Sequence, residues 1–218
     1  TYVNPPESPK DNPSTVEGVE LGRQLFYEKL LSRDNTFSCN TCHKQEFAFS
    51  EHKKFAVGID SLKLKFNTMS LTNVGLTGKF FWDGRGKSLE KQALAPIVNH
   101  MEMDQRFSAT VMKLSGTKKY PDLFYKAFGS REITPLKIAA AISQFERTML
   151  SFNSKYDRFL RNEIELSPIE LEGMKLFFTS PDPAAGIRGG GCSNCHLPIT
   201  FAGSSQGYQG FKNNGLNK

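Results

Sequence analysis

Every cysteine of the chain lies in one of two short runs, Cys39-Asn40-Thr41-Cys42-His43 and Cys192-Ser193-Asn194-Cys195-His196. A zinc ribbon wants its cysteine pairs about 15 to 20 residues apart, whereas Cys42 and Cys192 are separated by 150 positions. Thioredoxin-like redox motifs and disulfide frameworks have no use for a histidine after each pair. The pattern that does need it is covalent haem attachment. Two thiols add across the vinyl groups of one porphyrin, and the next side chain lies under the iron as its axial imidazole. The motifs therefore predict two c-type haems, attached at Cys39 and Cys42 and at Cys192 and Cys195, with His43 and His196 as axial ligands. Such attachment takes place outside the cytoplasm, so the expected compartment is the periplasm.

A chain of 218 residues, 38% hydrophobic and 23% charged, has the composition of a globular protein with its own core. No apolar run approaches the roughly 20 residues that a transmembrane helix needs. The polar start, Thr1-Tyr2-Val3-Asn4, is read as a mature or trimmed chain without a signal peptide. The net charge of +6 is spread through the sequence with no run of Lys or Arg longer than two, which argues against nucleic acid and leaves an acidic redox partner as a use for it.

The two motifs recur with their upstream context. Glu20-Leu21-Gly22-Arg23-Gln24-Leu25-Phe26 precedes the first and Leu171-Glu172-Gly173-Met174-Lys175-Leu176-Phe177 the second, with Gly-to-Cys distances of 17 and 19. Capping boxes at Ser14-Thr15-Val16-Glu17 and Ser167-Pro168-Ile169-Glu170 predict that each stretch begins an amphipathic helix. Its Leu and Phe would face the porphyrin, and its Gly would admit a second helix. Further helices are expected over 104–116, 121–128 and 135–152. The last has Thr134 as N-cap, Pro135 in the first turn and a stripe of Leu136, Ala139, Ile142, Phe145, Met149 and Phe152. No useful strand pattern occurs, and the glycines that end loop 181–191 read as slack for haem attachment, not as a phosphate cradle. The expected fold is mainly α, two cytochrome c-like haem domains in tandem with long loops. The expected boundaries are 14–160 and 165–218, divided near 153–167.

Between the motifs stand Phe80-Phe81-Trp82-Asp83-Gly84-Arg85, Ser88-Leu89-Glu90-Lys91-Gln92-Ala93 and Asn99-His100-Met101-Glu102-Met103. Trp-Asp-Gly-Arg, then Gln ten and Glu twenty residues after the Trp, flanked by two haem motifs, resembles the bacterial di-haem cytochrome c peroxidase family, relatives of the MauG type included. The resemblance runs from Glu17 to about Leu216. It implies an enzyme, a cytochrome-c peroxidase that reduces hydrogen peroxide to water with electrons from a small cytochrome c or cupredoxin. It implies Glu102 as the acid-base group, since a carboxylate near an open iron can move a proton between the peroxide oxygens, and Gln92 as a hydrogen-bonding neighbour. Taken alone, Glu102 and Gln92 would be ordinary surface residues. Trp82, the single tryptophan, is a core aromatic, an electron route between the haems, or both.

Asn67 occupies a position that in the family contributes to calcium binding, and oxygen ligands suit that cation. Phe66 and Met69 depart from the Arg and Pro usual around it, which puts the local loop geometry in doubt; Met69 reads as packing, though a thioether could ligate iron. No histidine occurs between Lys53 and Trp82 to close the first haem, while His52 reads as a surface residue and His100 as either pocket or surface. The first haem is accordingly expected to be open without reductive activation. The family's distal ligand for the second haem comes from a segment after the second motif that this chain does not reach, so the C-terminal domain is read as truncated. Two alternatives stand: a MauG-like oxidase acting on a tryptophan of a protein or peptide, and a non-catalytic electron-transfer cytochrome. A homodimer is an assembly the resemblance admits.

Overall fold

The computed structural model describes residues 4–196 and 200–201, and among these it contains eight α-helices, short 3₁₀ turns and four isolated bridges, with no β-strand. The mainly helical class is as expected. The chain divides into two compact units, one of residues 7–75 and 79–150, the other of residues 151–218 with short pieces 1–6 and 76–78.

The larger unit holds α1 (Val16–Phe26), α2 (Cys39–Cys42), α3 (Leu89–Val98), α4 (Phe107–Ser115), α5 (Lys119–Phe128) and α6 (Pro135–Glu146). Helix α1 is capped by Thr15, whose Oγ1 accepts from the Gly18 amide at 3.0 Å, and not by the expected Ser14. The register is set from across the fold, because the Thr15 amide donates to Gln144 Oε1 on α6 at 3.0 Å. Leu21, Leu25 and Phe26 are buried, as their spacing predicts. Gly22 does what its position suggested: a Cβ there would run into the Ala141 carbonyl oxygen, and one on Gly18 into the Gln144 amide. The backbones of α1 and α6 therefore approach more closely than side chains would permit.

Thr134 caps α6 by accepting from the Lys137 amide at 3.2 Å, and Pro135 opens its first turn. The helix ends at Glu146, not at 152, because the amides of Thr148 and Met149 fold back to the carbonyls of Phe145 and Glu146 at 2.9 and 3.1 Å. The predicted stripe needs correction too. Leu136 is 75% exposed, while Ile138, Ala141 and Ser143 join Ala139, Ile142, Phe145 and Met149 in the interior. Two helices, α1 and α3, cover α6 from different sides, so its buried arc is wider than one stripe. Helix α4 begins at Phe107, since Asp104 takes a left-handed turn at φ 48° and its amide returns to Asn99. Helix α5 starts at Lys119, two residues before the expected Pro121, which a first turn tolerates.

Two apolar clusters fill this unit. One joins Leu21, Leu25, Ile97, Leu114, Tyr120, Phe124, Ile138 and Ile142, the other Phe26, Leu71, Val74, Phe80, Leu89, Phe145 and Met149, and Cys39 packs against both.

The smaller unit contains α7 (Lys155–Leu160) and α8 (Pro168–Phe178). The box at Ser167 forms as predicted, with Glu170 accepting from the Ser167 amide and hydroxyl at 2.8 and 2.7 Å and Pro168 in the first turn. Gly173 differs from its counterpart Gly22, for among the described residues nothing lies within 4 Å of where its Cβ would be. The glycines after loop 181–188 are not slack. Gly190 and Gly191 donate to the carbonyls of Leu176 and Thr179 at 2.7 and 2.9 Å, and a Cβ on Gly189 would meet the Thr179 carbonyl. They close the open carbonyl end of α8.

Candidate haem-attachment and peroxide site

Each Cys-x-x-Cys-His run forms a single tight turn that sets both thiols and the imidazole. In the first unit Cys39–Cys42 is one helical turn, boxed by Ser38 and Thr41, and the His43 amide donates to the Cys39 carbonyl at 2.9 Å. In the second, Cys192–Asn194 is a 3₁₀ turn and the His196 amide donates to the Cys192 carbonyl at 2.8 Å.

The histidine environments repeat. His43 Nδ1 lies 2.9 Å from the Phe49 carbonyl and His196 Nδ1 3.1 Å from the Phe201 carbonyl. A carbonyl can only accept, so Nδ1 carries the proton and Nε2 keeps a free lone pair, the tautomer a metal needs. Phe26 of α1 stands 6.5 Å from the His43 ring and Phe177 of α8 6.5 Å from the His196 ring. Each phenylalanine also meets its carbonyl-bearing partner edge-on, Phe26 with Phe49 at 82° and Phe177 with Phe201 at 85°. The repeated Gly-x-x-x-Phe thus places one aromatic wall beside each imidazole. The sequence repeat showed Phe26 and Phe177 but not Phe49 and Phe201, which follow the motifs at unequal spacing.

Burial holds the first-site groups neutral. It pushes the Cys42 thiol up to about 11 and the Cys39 thiol higher still, and lowers His43 below the usual imidazole range. None of the four cysteines is paired in a disulfide. Among the described residues, the buried side-chain atoms without a hydrogen-bond partner are Gln92 Oε1, Ser143 Oγ, Glu146 Oε2 and Arg147 Nη1, carried by the packed pair α3 and α6 and the residue that caps α6. Buried orphans are rare, and they suit a site completed by another group. Unpaired cysteines in one turn, a metal-ready imidazole and unfilled polar atoms nearby fit a covalently held haem.

Glu102 sits in a compact loop after α3, which Pro96 helps to end by having no amide hydrogen for the Gln92 carbonyl. Asn99 Nδ2 donates to Glu102 Oε1 at 2.7 Å, and the Glu102 amide returns to the Asn99 carbonyl at 2.9 Å. From the other side Ile59 donates to the Glu102 carbonyl at 2.9 Å, and Gly58 lies so close that a Cβ would overlap the Met101 carbonyl. Arg33 braces both loops through 2.6 Å pairs to Asp60 and Asp104. Burial raises the Glu102 carboxyl above the usual range, against the opposing Asn99 hydrogen bond and the Arg85 charge. Its charge is felt at both Cys39 and Cys42.

The Trp-Asp-Gly-Arg segment is a tight loop closed by paired Phe80 and Gly86 hydrogen bonds at 3.1 Å. Trp82, 48% exposed, is not the core aromatic one reading offered; its Nε1 donates to the Asn67 carbonyl at 3.0 Å. Arg85 stacks on Phe81 at 3.9 Å and pairs with Asp83 at 2.7 Å. Tertiary structure thus joins Trp82 to Asn67 and brings the Arg85 charge to Glu102, while Gln92 has no hydrogen bond to either. His52 stacks on Phe47 at 4.0 Å and is exposed, as is His100. The residues that position Glu102, namely Asn99, Gly58 and Arg33, had no signal beyond proximity for Asn99.

Glu146 was also illegible in sequence. It is buried, its Oε2 has no partner, and Arg147 turns instead to Glu90 at 2.6 Å. Burial and the like charge of Glu90 push it up to about 8 against the pull of Arg147. Between the ordinary 4.5 and about 8 the folded chain holds a proton that the unfolded chain has released. Stability therefore falls as pH rises through that window, by up to about 1.4 kcal/mol per pH unit. Urea midpoints should drop from pH 5 to pH 8 and drop less in Glu146→Gln; an equal drop assigns the proton elsewhere.

Fold and site together define a helical c-type haem protein with a half-buried carboxyl on the loop that packs against the segment touching one attachment turn. The sequence profile of the family described as di-haem cytochrome c peroxidase matches residues 16–165, and the chain belongs to that family. It is 33% identical to the cytochrome c551 peroxidase of Nitrosomonas europaea over 88% of this chain and 55% of that protein. It is 36% identical to the methylamine utilization protein MauG of Methylorubrum extorquens over 92% of this chain and 56% of that one. Among solved structures it resembles a MauG-like protein associated with microbial copper homeostasis, with a TM-score of 0.82, 33% identity, and 95% and 60% of the two chains covered. The chain spans just over half the length of these curated relatives.

Proposed function

We propose that the chain carries two c-type haems in tandem cytochrome c-like domains, residues 14–160 and 165–218, and serves a periplasmic enzyme that reduces hydrogen peroxide with electrons from a small cytochrome c or cupredoxin. Cys39, Cys42 and His43 would hold the first haem, and Cys192, Cys195 and His196 the second. The carrying observation is Glu102, a half-buried carboxyl that accepts from Asn99 Nδ2 at 2.7 Å and sits on a loop held at 2.9 Å by Ile59, in the segment whose Val57 carbonyl lies 3.9 Å from Cys42 Sγ; its partial burial raises its pKa. When bound, the first haem supplies the iron at which peroxide is reduced. Glu102 takes the proton from one peroxide oxygen and returns it to the other as the O–O bond breaks, with Asn99 orienting the carboxyl. Gln92, whose Oε1 lacks a partner, holds peroxide or water by hydrogen bonding. Each peroxide takes up two electrons and two protons and leaves as two waters. Trp82 is assigned as part of the electron route, and the side chain of Asn67 as one oxygen ligand of calcium.

The test is the haem-loaded protein in its oxidised and half-reduced states, followed by electronic and EPR spectra as peroxide is added with a reduced donor cytochrome. Peroxide-dependent donor oxidation and an open first iron are expected. Two inert six-coordinate irons would leave an electron-transfer cytochrome. The similarity to MauG favours one second reading, oxidation of a tryptophan in a protein or peptide, which would show as a peroxide-dependent mass change in that substrate without donor oxidation.

A further inference from the structure

Glu51 is a buried carboxylate that neither the peroxide chemistry nor haem attachment uses. Loop 44–50 returns to its own start, the Lys44 amide donating to the Ser50 carbonyl at 3.0 Å, so residue 51 comes back beside the first attachment turn. Two residues earlier, the Phe49 carbonyl lies 2.9 Å from His43 Nδ1. Glu51 Oε1 accepts from the Thr68 hydroxyl at 2.7 Å, and Oε2 lies 3.3 Å from Lys53 Nζ. Burial raises the Cys42 thiol and the Glu51 charge raises it further, while Lys53 and Thr68 draw it down. Burial lowers the His43 imidazole, and the backbone of Phe49 and Met69 and the Glu51 charge oppose that.

The local fold does not need this carboxylate. Segment 67–72 is tied to 48–50 without it, Ser50 Oγ donating to the Thr68 carbonyl at 2.7 Å and Thr72 Oγ1 to the Ala48 carbonyl at 3.1 Å. Burying a charge is costly unless it is paired, and the pairing here is lopsided. The Glu51 side chain is 2% exposed and that of Lys53 54%, so water screens the ammonium far more than the carboxylate. Net negative charge therefore remains inside the fold, beside the turn that carries Cys42 and His43. Through an effective dielectric of about 20, a unit charge still changes an equilibrium about tenfold at roughly 12 Å.

We propose that Glu51 is a fixed charge that lowers the reduction potential of the first haem, by favouring the oxidised iron with its one additional positive charge. The inference rests on the proposed haem attachment at Cys39 and Cys42, and not on peroxide turnover. The test is a redox titration of the haem-loaded protein, with each haem followed by its own EPR and absorption changes. In Glu51→Gln, whose amide oxygen still accepts from Thr68, the first midpoint should rise by about 59 mV, a tenfold change in the one-electron equilibrium. The second midpoint should rise less. Damage to the fold has the opposite sign, since admitted water favours the more highly charged oxidised iron and lowers the potential. Thr68→Val removes the hydrogen bond and keeps the charge, so it should move the first midpoint less than Glu51→Gln does. An unchanged or lowered first midpoint in Glu51→Gln overturns the proposal, as does an equal rise in Thr68→Val. Should Glu51→Gln fail to take up haem, Lys53→Met decides at low salt. Loss of the ammonium should lower the first midpoint, and a rise or no change there overturns the proposal. A wild type that consumes no peroxide ends the peroxidase reading, while the rise in Glu51→Gln still supports the charge assigned to Glu51.

Discussion

Glu102→Ala is expected to lower peroxide turnover about 10²- to 10⁴-fold, the range that a positioned acid-base group contributes. Haem content and the absorption spectrum of the oxidised protein should stay as in wild type, because the Glu102 loop is held by its backbone. Its amide bonds Asn99 and its carbonyl accepts from Ile59, both at 2.9 Å, whatever the side chain. Glu102→Gln should be nearly as slow, since an amide can accept the Asn99 hydrogen bond but cannot pass a proton. Burial raises the Glu102 carboxyl, so the wild-type rate should carry a limb in its pH profile above the ordinary carboxylate range, and both variants should lose it. Asn99→Ala removes a hydrogen bond that lowers this carboxyl, so its limb should move to higher pH. Normal turnover by Glu102→Ala would assign proton transfer to another group.

The second large effect concerns stability, and it has opposite signs at the two members of one repeat. Gly22→Ala forces a methyl group into the Ala141 carbonyl at the closest approach of α1 and α6. Overpacking costs typically 1–3 kcal/mol, and a backbone neighbour that cannot swing away places this site near the top, at about 3 kcal/mol. For a chain of this size that lowers Tm by roughly 6 to 12 °C. Gly173→Ala occupies the same place in the repeated motif, on α8, where no described atom lies within 4 Å. In this 218-residue chain it should be neutral or stabilising by up to about 1 kcal/mol, the helix-propensity difference between Ala and Gly. Thermal unfolding of both variants checks the pair, and a large loss at Gly173 would mean that a further element packs there.

Gly22 and Gly173 also show where a sequence repeat stops being informative. Periodicity and caps depend on neighbouring residues, so α1, α6 and α8, the Thr134 cap and the Ser167 box could be read locally. Whether a glycine admits a helix depends on what arrives from elsewhere in the chain. The same holds for Leu136, whose place in a helical stripe predicted burial, and which faces solvent because α1 and α3 cover other sides of α6. Thr15 displaced Ser14 as a cap because Gln144, distant in sequence, accepts its amide hydrogen.

The two Cys-x-x-Cys-His runs determined by themselves that the chain is built to hold haem, because three bonds to one cofactor come from five consecutive residues. The proton position on each imidazole was decided only in three dimensions, by the carbonyls of Phe49 and Phe201. So were the partial burial of Glu102 and its bracing by Asn99, Ile59 and Gly58. Ligand identity is a property of short segments; the desolvation and hydrogen bonding that tune a ligand or a carboxyl come from residues that only folding brings near.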